Sequence, residues 1–210
     1  MKKINLSVIA CSLAVLFLSS CGGDSVKIVK NEFLGEVPSL EKGYYDKMQE
    51  KEKAIKECTD IKKSFKLSKE KDLLKDEWGA KIKESLTTNP LTKALPVESL
   101  AGVDYTINEI KVDKAVKGSM SLKFFIKIDK DIKNEYGNFE KDLLVYFKAL
   151  DKDGKDIEGS TTVAVVYKRE EMKAGKTVEA SGTWQTKGLK NMENFAKIKI
   201  ITKDEYDKKK

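Results

Sequence analysis

The stretch Ser119-Met120-Ser121-Leu122-Lys123-Phe124-Phe125-Ile126-Lys127-Ile128 decides the fold. Met120, Leu122, Phe124, Ile126 and Ile128 alternate with Ser119, Ser121, Lys123, Phe125 and Lys127. A period of two sends successive side chains to opposite faces of a strand, so one face of this segment belongs to a core. Toward the C-terminus, Leu143 to Leu150 and Thr161 to Tyr167 read as further strands, the first apolar enough to be central. Val178, Ala180, Gly182 and Trp184 point one way and Thr177, Glu179, Ser181 and Thr183 the other, and Ala196, Ile198 and Ile200 repeat the scheme. Toward the N-terminus the inward parity flips between Tyr105-Ile107 and Ile110-Val112, which predicts a bulge near Asn108-Glu109. Six or seven short strands with no helix between most of them predict an antiparallel β-sandwich over residues 100–203.

Turn chemistry supports that reading. Asp151-Lys152-Asp153-Gly154-Lys155 separates two strands and supplies the Asp-Gly pair of a tight hairpin. Its two aspartates are no calcium loop, because Gly154 comes too early and the ligand spacing is wrong. Residues 130–138 read as a long loop or short helix across the end of the sandwich, and residues 204–210 as a frayed, charged tail.

Upstream the period changes to helical. Tyr44, Tyr45, Met48, Ile55, Cys58, Ile61 and Phe65 return at helical steps between about Ser39 and Ser64, with Ser39 as the expected cap and Glu41 in the first turn. A second helix is expected after Ser68, carrying Leu73, Leu74, Trp78, Ile82 and Leu86 and ending near Asn89-Pro90. Residues 39–95 thus form an N-terminal helical hairpin, and the fold class is α+β. Tyr44, Tyr45 and Trp78 belong to its core face, and Cys58 is expected to be a buried, poorly reactive thiol between Ile55 and Ile61.

The first 20 residues read as a removable address. Lys2 and Lys3 precede an apolar run from Ile4 to Leu18, 15 residues long, whereas a membrane span needs ~20. The run ends in Leu18-Ser19-Ser20-Cys21, which resembles the lipobox of bacterial lipoproteins: a branched apolar residue, two small residues for the signal peptidase, and a cysteine. The resemblance implies a signal peptide over 1–20, cleavage before Cys21, and acylation (diacylglycerol, palmitate) of the Cys21 thiol, with several acyl chains giving stable anchoring. Residues 21–38 are then the lipidated cysteine and a linker that begins Gly22-Gly23-Asp24-Ser25. Glycine, and not aspartate, follows Cys21, which in enteric bacteria favours sorting to the outer membrane.

Val145-Tyr146-Phe147-Lys148-Ala149-Leu150, followed by the Asp151 to Lys155 turn and by Met172-Lys173-Ala174-Gly175-Lys176 before another strand, resembles the immunoglobulin-like, telokin-like modules of bacterial envelope lipoproteins. The resemblance covers about Val103 to Lys203 and implies an immunoglobulin-like sandwich with no shared catalytic residues. Lipobox, helical hairpin and sandwich together are similar to lipoproteins common among the Bacteroidetes.

Composition narrows the function. Of 210 residues 36% are charged, and loss of Lys2 and Lys3 takes the formal charge from +7 to +5. The lysines alternate with Glu and Asp and make no basic stripe, so nucleic acid is set aside. There is no histidine, which removes histidine general bases and HExxH zinc sites, and no metal or cofactor is expected. Glu32, Glu36, Asp142 and Glu179 lie scattered among lysines, not as a catalytic constellation. The reading is a non-enzymatic, lipid-anchored envelope protein that binds a protein or glycan, with loops 130–138 and 170–176 as candidate contact surfaces. An inhibitor or immunity-type protein acting on an envelope enzyme is the alternative, and an enzyme a further one.

Overall fold

The structure, a computed structural model, describes residues 26–140, 142–166 and 171–208. Helix α1 (Val37–Glu57) begins with Pro38 in its first turn, where the missing N–H costs nothing. Cys58 ends it in an extended conformation, and Asp60 restarts the chain as α2 (Ile61–Thr88) by accepting the Lys63 amide at 3.0 Å. The break therefore falls at residues 58–60, well before Ser68: an aspartate side chain that caps outweighs an apolar pattern that runs on. Ser39 is not the cap either. Its Oγ accepts the Val29 amide and donates to the Lys27 carbonyl, stitching the incoming segment across α1. Contacts of Glu36 with Ser85, Tyr44 with Glu77, Lys51 with Glu70 and Glu52 with Lys71 show that the two helices run antiparallel.

The rest is a mixed sheet of β1 (Val97–Glu98), β2 (Tyr105–Val116), β3 (Ser119–Ile128), β4 (Leu143–Asp151), β5 (Thr162–Val166), β6 (Thr177–Gln185) and β7 (Phe195–Ile201). A short α3 (Lys203–Asp207) follows. Fold class α+β holds. Met120, Leu122, Phe124, Ile126 and Ile128 are all buried, as their alternation requires. The register shift between Ile107 and Glu109 falls where the parity flip placed a bulge. Strand β4 is central, between β7 and β5.

Two features depart from the sequence reading of the β region. Hydrogen bonds run through one seven-stranded sheet in the order β1-β7-β4-β5-β6-β3-β2, so its expected two layers are joined instead of separate. The joint is β5, which pairs with both β4 and β6. Gly182 permits it: a Cβ there would stand 2.8 Å from the Cβ of Ala164. Leu95 then donates from its amide to the Ile110 carbonyl at 2.8 Å, which brings the beginning of the sheet to its far edge and nearly closes a barrel. The second departure is the tail. Thr202 caps α3, Tyr206 lies against Tyr146 with ring centroids 4.9 Å apart, and Glu205 reaches Lys148, so residues through Asp207 fold back on β4.

Helices and sheet share one core. Leu34, Val37, Leu40, Tyr44, Met48, Trp78 and Ile82 pack in the same cluster as Phe147, Trp184 and Phe195. The second half of the expected 21–38 linker is thus docked, pinned by Asn31, whose Nδ2 donates to the carbonyls of Glu193 and Phe195. Trp184 stands edge-on to Phe147 and Phe195 at 5.9 and 5.8 Å and donates its indole N–H to the Ser160 carbonyl.

Candidate functional site

Cys21, Leu18, Ser19 and Ser20, the expected lipidation and signal-peptidase residues, lie outside the described residues. Among the described residues no helix is long and apolar enough to cross a membrane.

The scattered carboxylates stay scattered. Glu32 pairs with Lys93, Glu36 accepts from Ser85, and Glu179 pairs with Lys123. Among the described residues no group of three or more acidic or thiol side chains could hold a metal ion. Asp151 is already engaged, its Oδ1 accepting the amides of Asp153 and Lys155 across a turn in which Gly154 takes φ +79°. Tyr44 and Trp78 are core: the rings stack, and Tyr44 donates to Glu77 at 2.7 Å. Burial, reinforced by Glu77, pushes the Tyr44 phenol well above its ordinary range. Cys58 departs from expectation. It sits half-buried at the end of α1, its Sγ donating to the Asp60 carbonyl at 3.4 Å, and Ile61 beside it is exposed.

The two candidate loops prove to be one unit. Ile132 donates to the Met172 carbonyl, Met172 to that of Glu140, and the Ala174 amide to Asp131 Oδ1. Lys133 and Lys173 close over the Phe139 ring from 4.9 and 4.7 Å. Beside them lies an open, polar hollow of about 670 Å³ lined by Asn134, Asn138, Glu140, Asp142 and Glu171.

Two features were not legible in the sequence. The first is Glu41, buried where α1 meets the β2–β3 turn, with both carboxylate oxygens accepting the Gly118 amide at 2.8 Å. Burial pushes its carboxyl up to about 7, against the pull of the Gly118 amide and the nearby Thr186 hydroxyl. That hydroxyl itself is buried without a partner in hydrogen-bond geometry. A glutamate in a lysine-rich helix carries no signal of this role, because only the fold turns its side chain inward. The second feature is a groove of about 620 Å³ between α2 and the end of β2. Gly79, Ala80, Leu86 and Val116 line it, and Lys83, Lys114 and Lys117 stand at its rim. A pocket of this size falls within the range of ligand sites.

Comparison of the chain with known protein families, with curated proteins and with solved structures finds no match. Fold and surface define an α+β protein built on a curled seven-stranded sheet.

Proposed function

We propose that this chain is a lipid-anchored, non-catalytic cell-envelope lipoprotein, held through Cys21 at the outer membrane, that acts as a binding or assembly module for a protein or glycan partner. The observation that carries the anchor is Leu18-Ser19-Ser20-Cys21 at the end of a 15-residue apolar run behind two lysines. Leu34, the first buried hydrophobic residue, lies 13 positions after Cys21, a tether that would hold the body close to the membrane surface.

The proposal extends to the fold. We read the curled sheet as an immunoglobulin-like sandwich on a helical hairpin. In such sandwiches the first, second and fifth strands share one layer, while the third and sixth meet in the other. Counted from β2 as the first strand, the pairings β2–β3–β6 and β4–β7 match that division, with β5 bridging the layers. The binding role rests on exposed apolar side chains and open grooves on a well-packed scaffold.

Cys21→Ala tests the anchor. Cells fed labelled palmitate should incorporate it into the wild-type chain and not the variant, which should accumulate at precursor size. Labelled, normally processed Cys21→Ala protein would refute the lipoprotein reading. For the binding role, photo-crosslinking side chains at Ala80, Asn138 and Asp153 in intact cells should yield an adduct from at least one position.

A further inference from the structure

Two glycines sit inside the helices, and the fold accounts for only one. At Gly43 a Cβ would stand 2.2 Å from Val26 Cγ1, so the incoming chain needs that glycine. At Gly79 a Cβ would meet nothing within 4 Å. A mid-helix glycine is unfavourable relative to alanine, and no contact among the described residues requires this one. Gly79 opens onto the groove between α2 and β2.

That groove is the lower end of an uncovered helix face. Lys71, Leu74, Trp78, Ile82 and Ser85 recur on the side of α2 turned to α1 and the core. Ile61, Phe65, Asp72, Asp76, Gly79 and Lys83 recur at steps of four, seven, four, three and four on the other side. Ile61 is 86% exposed and Phe65 63%. Over its 28 residues the face extends about 42 Å, ending among Ala80, Leu86 and Val116.

Charge selects the occupant. Between Lys53 and Lys69 the chain carries six lysines against Glu57 and Asp60. At the groove, Lys75 pairs with Asp72, and Lys83, Lys114 and Lys117, which have no ion-pair partner among the described residues, outnumber the carboxylate that lines it, Asp76. A second copy laid antiparallel along α2 would bring the lysine-rich tip against the lysine rim, which like-charge repulsion disfavours. A flat bilayer would meet the tip and miss the concave groove. From the unfilled groove, the exposed side chains of Ile61 and Phe65 and the lysine rim we infer that α2 and the end of β2 form a seat for an acidic amphipathic helix of a partner protein. Its apolar side lies on Ile61 and Phe65 at one end and on Leu86 and Val116 at the other, its close approach occurs at Gly79, and its carboxylates meet Lys83, Lys114 and Lys117. This rests on the binding-module reading and names the partner's chemistry.

The test uses the chain from Asp24 onward, which contains every residue of the core cluster. Two labelled amphipathic peptides of equal length, both with leucine at heptad positions a and d, carry glutamate in one case and lysine in the other at the remaining charged positions. Fluorescence anisotropy should show saturable binding of the glutamate peptide and none of the lysine peptide. Gly79→Leu, which fills the groove and favours the helix, should weaken binding at least tenfold without lowering the melting temperature. The combined Lys83→Glu, Lys114→Glu and Lys117→Glu variant should do the same. No binding, equal binding of both peptides, or unchanged binding to Gly79→Leu would overturn the inference. So would a dimer of the chain alone that Gly79→Leu dissociates, or co-sedimentation with phosphatidylglycerol–phosphatidylcholine vesicles that Phe65→Ser abolishes. Crosslinked adducts in cells from Asn138 or Asp153 but never Ala80 would leave the binding-module reading standing and remove this seat; no adduct anywhere would remove both.

Discussion

Strand β3 and helix α2 use apolar residues in opposite ways. All five inward residues of β3 are essentially sealed from water, whereas α2, nearly three times as long, buries only Trp78, Ile82 and Ser85. The sheet is held by side-chain packing in three dimensions. The upper half of α2 is held mainly by its backbone ladder and by half-exposed ion pairs such as Lys51–Glu70, which water screens. A long amphipathic helix is therefore no guide to where a core lies: what decides is whether a second apolar surface stands opposite.

The sharpest way to break this contrast is Trp184→Ala. Trp184 sits between Phe147 and Phe195 with its indole N–H paired, so truncation should cost about 3–5 kcal/mol. Chemical denaturation should show the midpoint fall with the whole chain melting in one step, because helices and sheet share the core. Separate melting of the helical signal would refute the shared core.

Glu41 probes the seam between the two regions. Its carboxyl is raised from 4.5 to about 7 in the fold, so between those values the folded chain holds a proton that the unfolded chain has released. Stability should accordingly fall as pH rises through this window, by up to about 3 kcal/mol from this group, and level off above it. Glu41→Gln keeps an acceptor for the Gly118 amide and should flatten that slope while raising stability at pH 8. An unchanged slope in unfolding curves at pH 5 and pH 8 would show that Glu41 is not the group responsible.

Smaller effects belong to the hairpin tip. Asp60→Ala removes the N-cap of α2 and should cost about 1 kcal/mol, read as a lower melting temperature and faster amide exchange at residues 61–64. Phe65→Ser should change stability by no more than about 0.5 kcal/mol, since the ring is mostly exposed and meets chiefly the Lys69 ammonium at 4.7 Å. A large loss would mean that the tip is packed after all.

Periodicity was enough to locate most strands, the bulge at Ile107/Glu109, the Asp151 turn and two helices, because each depends on neighbours within a few residues. It misplaced the helix break, since local apolar spacing at Ile61 and Phe65 looks the same whether or not anything covers it. Residues 204–207 read as a tail because the partners that order them, Lys148 and Tyr146, lie more than 50 positions away.

By itself the sequence determined the α+β composition, the strand faces and the turn chemistry, all properties of short segments. Only the tertiary structure decided that the strands join through β5 into one curled sheet, that Glu41 is buried on Gly118, and that Gly79 opens onto a groove rimmed by lysines. These depend on which distant surfaces meet. Hydrophobic burial is non-directional, so an apolar pattern states that a face seeks cover and leaves to the whole chain which faces obtain it.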